Sequence, residues 1–172
     1  MRFPYDRRLS KVAVAQPGMN VTEEQRQSVR DLVVAVFQAN GGIKANGDRL
    51  VADLGLTASL WQVLDALERS EGEQTVAEIA RLMGLRRQSV QRSADILHEQ
   101  QFVDFVDNPA HKRAQLVRLT AAGRQALTVI HERDLQSIDD IVNCLGAENI
   151  LSMKRSLFKL VGEVKRQCES QS

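Results

Sequence analysis

A chain of 172 residues with 43% apolar and 26% charged side chains has the composition of a globular protein. It is long enough to bury roughly 70% of its unfolded surface. A net charge of +1 and a pI near 7.8 argue against a general nucleic-acid coat, so any contact with DNA has to come from local clusters of cations. No apolar run approaches the ~20 residues of a membrane span, and residues 1–18 lack the apolar core of a signal peptide; a cytosolic protein with no membrane partner is expected.

Residues 1–20 hold Pro4 and Pro17 and show no periodicity, which predicts a flexible, basic N-terminal arm. Residues 21–56 read as a helix and connector. Thr22 and Gln25 form a capping box that opens the helix, and Val29, Leu32, Val33, Val36 and Phe37 make its buried stripe. Asn40-Gly41-Gly42 is expected to stop it. A shorter helical piece through Leu50, Val51 and Leu54 then ends at Gly55.

Residues 57–120 form the next unit. Thr57 caps a helix over 58–69 that turns Leu60, Val63, Leu64 and Leu67 inward. Trp61, the sole tryptophan, reads as a core anchor in preference to the wall of a ligand pocket. A loop over 71–74 leads to a second capping box, Thr75 with Glu78, and a short helix with Val76, Ile79, Ala80 and Leu82 inward. Gly84 suits the left-handed residue that leaves a helix, and a further helix starts at Arg86. Val90, Ala94 and Leu97, with Ile96 beside them, form its apolar stripe. The opposite side carries Arg87, Gln88, Ser89, Gln91 and Arg92, residue types that read base edges in a major groove. Alternation over 102–106 predicts a strand, Asp107-Asn108-Pro109 a turn, His111-Lys112-Arg113 a basic tip, and 117–120 a returning strand. Arg118 adds to the cations of this region. A helix, a tight turn, a second helix and a hairpin in that order make a winged helix-turn-helix.

Residues 121–172 supply two more helices. Thr120 caps a helix over 121–145, about 37 Å long at 1.5 Å per residue. Its stripe of Ala126, Ile130, Ile138, Ile141, Val142 and Leu145 is interrupted by Glu132-Arg133-Asp134, and Gly146 ends it. The last helix, over 148–167, buries Ile150, Leu151, Leu157, Leu160, Val161 and Val164. The terminal helices carry more apolar surface than residues 57–120 can cover, which predicts a dimerisation region and a homodimer; the alternative is a monomer with a compact helical cap.

No catalytic constellation is visible. His98, His111 and His131 lack metal-ligand spacing, and there is no phosphate loop or nucleophile elbow, so neither enzyme activity nor a metal or cofactor is expected. Cys144 and Cys168 share no metal-ligand or redox spacing and read as buried or idle thiols, with an oxidant-sensing role as the alternative.

Three segments, 54–64 (LGLTASLWQVL), 84–92 (GLRRQSVQR) and 108–124 (NPAHKRAQLVRLTAAGR), together resemble the MarR family of winged-helix transcription regulators, whose layout residues 22–168 follow. The resemblance implies a mainly α fold with a small β-wing, the recognition helix over 86–100, and the wing tip over 110–114. It also implies a homodimer on a near-palindromic operator in double-stranded DNA, released by a small molecule or an oxidant. Two positions depart from the family. Arg86 stands where similar sequences carry a capping Ser or Thr, and His111 where most carry an Asp that braces the wing arginine. The expected DNA-contacting set is Arg86, Arg87, Gln88, Ser89, Gln91, Arg92, His111, Lys112 and Arg113, in a repressor; Trp61 is the one candidate for touching an effector. A winged-helix module that binds only protein is the competing function.

Overall fold

The computed structural model describes residues 20–70, 72–111 and 113–170. The arm expected over residues 1–20 thus lies, except for Asn20, outside the described residues. In chain order the elements are α1 (Glu23–Val51), α2 (Ala58–Arg69), β1 (Gln74–Thr75), α3 (Val76–Met83), α4 (Arg87–Glu99), β2 (Val103–Val106), β3 (Leu116–Leu119), α5 (Ala121–Leu145) and α6 (Ala147–Glu169). The chain forms two compact units, one ending at Ile130 and one starting at His131.

The core of the first unit is centred on α2, whose Leu60, Val63, Leu64 and Leu67 are all buried as their spacing predicts. It packs against α1, α3, α4 and β3. Val76, Ile79, Val90, Ala94, Leu97, Val103, Val117, Leu127 and Ile130 complete the cluster. Each large apolar side chain fully removed from water contributes about 1.5–3 kcal/mol, so this cluster fixes where α4 sits. The sheet is antiparallel with strand order β1-β3-β2; Val103 pairs with Leu119 and Phe105 with Val117.

Three expectations about this unit are corrected. Asn40-Gly41-Gly42 does not stop α1, which runs unbroken for 29 residues. Neither glycine has positive φ and a Cβ at either would meet nothing, so each costs only about 1 kcal/mol of helix propensity. Packing beyond them outweighs that. Gly47 and Val51 are buried, a Cβ on Gly47 would lie 3.0 Å from Ala58 Cβ, and Ala58 donates its N–H to Asp48 Oδ1 at 2.7 Å. After α1 ends at Val51, a 3-10 turn over Ala52–Leu54 follows and closes where Gly55 turns left-handed at φ 69°. Second, the loop expected over 71–74 loses its last residue to β1, because Gln74 and Thr75 pair with Val117 and Leu116. Third, Leu82 is exposed and Met83 packs on the core. Val76, Ile79 and Ala80 define the buried face at i, i+3 and i+4, and Met83 at i+7 continues it, whereas Leu82 falls to one side.

The expected buried stripe of α1 is a further correction: Val29, Leu32, Val33, Val36 and Phe37 are all exposed in the single chain, Phe37 at 72%. The second unit behaves likewise. None of its described residues is buried; Ile150 and Leu160 are partly covered, and Ile138, Ile141, Val142, Leu145, Leu151, Leu157, Val161 and Val164 are exposed. A long helix has one face, and a face with no facing layer in its own chain stays open to water. The turn between α5 and α6 is made by Gly146, at φ 77°. Among the described residues no single helix is long and apolar enough to cross a membrane.

Candidate nucleic-acid interface

Local chemistry sets the start of α4. The Thr75 hydroxyl accepts from the Glu78 N–H while the Glu78 carboxylate accepts from the Thr75 N–H, the predicted capping box of α3. At the other end Gly84 adopts φ 65° and donates to the Ala80 and Arg81 carbonyls, and Leu85 N donates to Ala80 O at 2.9 Å. Arg86 then occupies the N-cap position of α4 in extended conformation with no side-chain cap bond, as an arginine must. Its side chain stays exposed and free of ion pairs among the described residues.

Val90, Ala94 and Leu97 hold one side of α4 in the core, each 1% exposed or less. The helix therefore cannot rotate, and its other side faces out. Arg87, Gln88, Gln91, Arg92 and Asp95 line one depression of about 340 Å³ there. Arg87, Gln88, Ser89 and Arg92 are exposed and Gln91 partly so. Neither Arg87 nor Arg92 has an ion-pair partner among the described residues. Asp95 was not foreseen as part of this face. Its signal was available, because it lies four residues after Gln91 and so one turn along the same side.

His98 closes the far end of the helix. Its Nδ1 lies 3.0 Å from Val103 O and its ring meets Phe105 edge-on, so it ties α4 to β2.

The wing turn is built by Asn108, whose Oδ1 accepts from the N–H groups of Ala110 at 3.0 Å and His111 at 3.2 Å. Ala114 N then donates to His111 O. This leaves His111 and Arg113 exposed at the tip, with Arg113 free of ion pairs among the described residues; Lys112 lies outside them. Arg118 does not join these cations. It sits 3.6 Å from both Glu73 Oε1, just before β1, and Asp104 Oδ2 on β2, so two carboxylates offset its charge. At the wing's flank, hydrogen bonds from the Thr75 hydroxyl and backbone, helped by the charges of Arg81 and His111, hold the Glu78 carboxyl below the usual range.

Behind this face, Thr120 ties the α4–β2 connection to α5. Its N–H donates to Phe102 O, its hydroxyl donates to Gln101 O at 2.7 Å, and it accepts from Gly123 N at 3.0 Å. The predicted cap of α5 is thus also a clasp. Gly123 is the close approach that makes this possible, since a Cβ there would lie 2.2 Å from Phe102 O.

Trp61 packs against the core with its ring beside Gly47, in keeping with an anchor, and its buried Nε1 has no hydrogen-bond partner among the described residues.

The MarR family model matches residues 54–114, the stretch that runs from the end of α1 to the wing. An uncharacterized protein of Mycobacterium bovis is 30% identical over 134 residues, covering 78% of this chain and 92% of its own length. The chain belongs to the MarR family. A second relative, the transcriptional activatory protein BadR of Rhodopseudomonas palustris, is 22% identical over 150 residues, covering 86% of this chain and 86% of its own length. A mutant MarR from E. coli, complexed with operator DNA, superposes with a TM-score of 0.69 at 22% identity, covering 77% of this chain and 95% of that one. The MarR winged helix-turn-helix is thus the fold of this chain, a mostly helical scaffold with a small antiparallel sheet.

Proposed function

We propose that the protein is a homodimeric, sequence-specific DNA-binding regulator that acts in the cytoplasm as a repressor and leaves a near-palindromic operator when a small ligand binds. The outward side of α4 carries the reading: exposed guanidinium groups with no ion-pair partner among the described residues stand beside carboxamides on a helix whose other side is locked in the core. Arg87, Gln88, Gln91 and Arg92 meet base edges in the major groove, and Arg86 and Ser89 meet phosphate or base. His111, Lys112 and Arg113 meet the minor groove or the backbone. The fold shared with a MarR complexed with operator DNA supports this placement.

The open apolar faces of α1 and of the α5–α6 stretch support the homodimer, because a second copy removes them from water. Two-fold pairing sets the recognition helices about 34–36 Å apart, one turn of DNA. A ligand touching Trp61 shifts the population toward a spacing that no longer fits successive grooves, provided it binds that form more tightly. BadR is named as an activator, so the sign of regulation has its own test: transcript levels of the neighbouring gene with and without the protein.

Fluorescence anisotropy on DNA from upstream of the protein's own coding region, against random DNA over a salt series, tests the reading. Preference for the upstream DNA and a steep fall with salt are expected. Salt-insensitive binding without preference would replace it with the protein-interaction module. Sedimentation showing only monomer at micromolar concentration would remove the dimer.

A further inference from the structure

We infer that Asp95 is a positioning residue that sets the base Gln91 reads, and that this base is adenine. The inference rests on the DNA-binding reading above. Gln91 Nε2 donates to Asp95 Oδ1 at 2.8 Å, one turn further along α4. An ionised carboxylate only accepts hydrogen bonds, so the end of the amide facing it must be the NH₂. The two orientations that a lone glutamine amide leaves open are thereby reduced to one. In this inference the N–H anti to the carbonyl is the one given to Asp95, which leaves the syn N–H and the Oε1 acceptor to offer side by side. That donor and acceptor pair complements adenine, which shows the N7 acceptor and the N6 amino donor in the major groove. Guanine shows two acceptors there, N7 and O6, and Oε1 would face one of them. Asp95 lines the same depression as Arg87, Gln88, Gln91 and Arg92, so its carboxylate belongs to the reading face. A negative charge on that face weakens binding to every sequence through the phosphates. Holding Gln91 in a single orientation is what the carboxylate does in exchange.

Selection of bound duplexes from a randomised pool tests this, with the wild type, Gln91→Ala, Asp95→Ala and Asp95→Asn. The wild type enriches adenine at one position of each half-site, and Gln91→Ala abolishes that enrichment. Asp95→Ala lowers it about tenfold while other positions keep theirs. Asp95→Asn retains it, because the carboxamide oxygen still accepts although the charge is gone. Asp95→Ala added to Gln91→Ala changes nothing further at that position. The inference is overturned if Asp95→Ala leaves the adenine preference intact, if both Asp95 variants change it equally, or if the change falls on a separate cytosine that Asp95 reads itself. A wild type that enriches no sequence removes the DNA reading as well, so the two failures are distinct. Asp95 is exposed, and wild-type helix content by circular dichroism shows that each variant folds.

Discussion

Replacing Gly123 by alanine is expected to destabilise the protein by about 3 kcal/mol, although alanine is the better helix former by about 1 kcal/mol. The new Cβ would lie 2.2 Å from the Phe102 carbonyl oxygen and 3.3 Å from Leu119 Cδ2. Carbon and oxygen not bonded to each other rest at about 3.3–3.6 Å, so the start of α5 must retreat from the Phe102 backbone, just before β2, by about 1 Å. The obstacle is main chain and cannot rotate away. Overpacking of this kind costs about 1–3 kcal/mol. The retreat also stretches the bonds that Thr120 makes to Gln101, Phe102 and Gly123, each worth about 1 kcal/mol, and loosens Leu127, which is fully buried. Offsetting the propensity gain leaves a net loss of about 3 kcal/mol. Gly42→Ala is the control: its Cβ meets nothing and its φ is not positive, so it is expected to stabilise by about 0.5–1 kcal/mol. Urea unfolding followed by circular dichroism, at one fixed protein concentration because association adds stability, measures both variants. A Gly123→Ala protein as stable as the wild type would refute the close approach. Equal destabilisation by both alanines would refute the assignment of the loss to position 123.

Thr75→Ala is expected to cost about 1 kcal/mol through loss of the α3 cap, read by the same unfolding assay. Because the folded Glu78 carboxyl lies below its ordinary value of 4.5, its stabilisation is fully present above that pH and is lost as pH falls through the folded value. Glu78→Gln should therefore lose stability at neutral pH and show a shallower decline on acidification; an unchanged pH profile counts against the capping box. On DNA, Arg113→Ala should weaken binding to all sequences and reduce the slope of log affinity against log salt by about 1. Gln91→Ala should relax preference at particular base pairs by about 1–3 kcal/mol. Anisotropy on operator and random duplexes separates the two, and equal losses on both DNAs from both variants contradict the division of roles. Phe37→Asp places a charge on the open face of α1 and should shift sedimentation toward monomer without changing helix content; a dimer of undiminished affinity would exclude that face from the interface.

The outward side of α4, which we propose reads DNA, was legible because the helix needs only its own periodicity to define it. Once Val90, Ala94 and Leu97 are assigned inward, Arg87, Gln88, Gln91 and Arg92 have nowhere else to point. The wing tip was legible for a similar reason, since Asn108 makes its turn with backbone groups two and three residues away. Arg118 was grouped with the cations of this region because Glu73 and Asp104, which offset it, become neighbours only when the sheet forms. Asp95 was overlooked although it was four residues from Gln91, since an acidic residue does not suggest a DNA face until its hydrogen bond is seen.

What this sequence determined by itself is chemistry that acts within about one helical turn: the capping boxes of Thr22 and Thr75, the caps of Thr57 and Thr120, and the left-handed glycines at 55, 84 and 146. Hydrogen bonds over three or four residues need no knowledge of the rest of the chain. Only the tertiary structure decided that α1 runs through Gly41 and Gly42, that Gln74 and Thr75 join a sheet, and that Gly123 must lack a side chain. In each of these the partner is distant along the chain, Ala58 for Gly47, Val117 for Gln74 and Phe102 for Gly123. Packing against a distant partner overrides propensities of about 1 kcal/mol, and no local pattern records it.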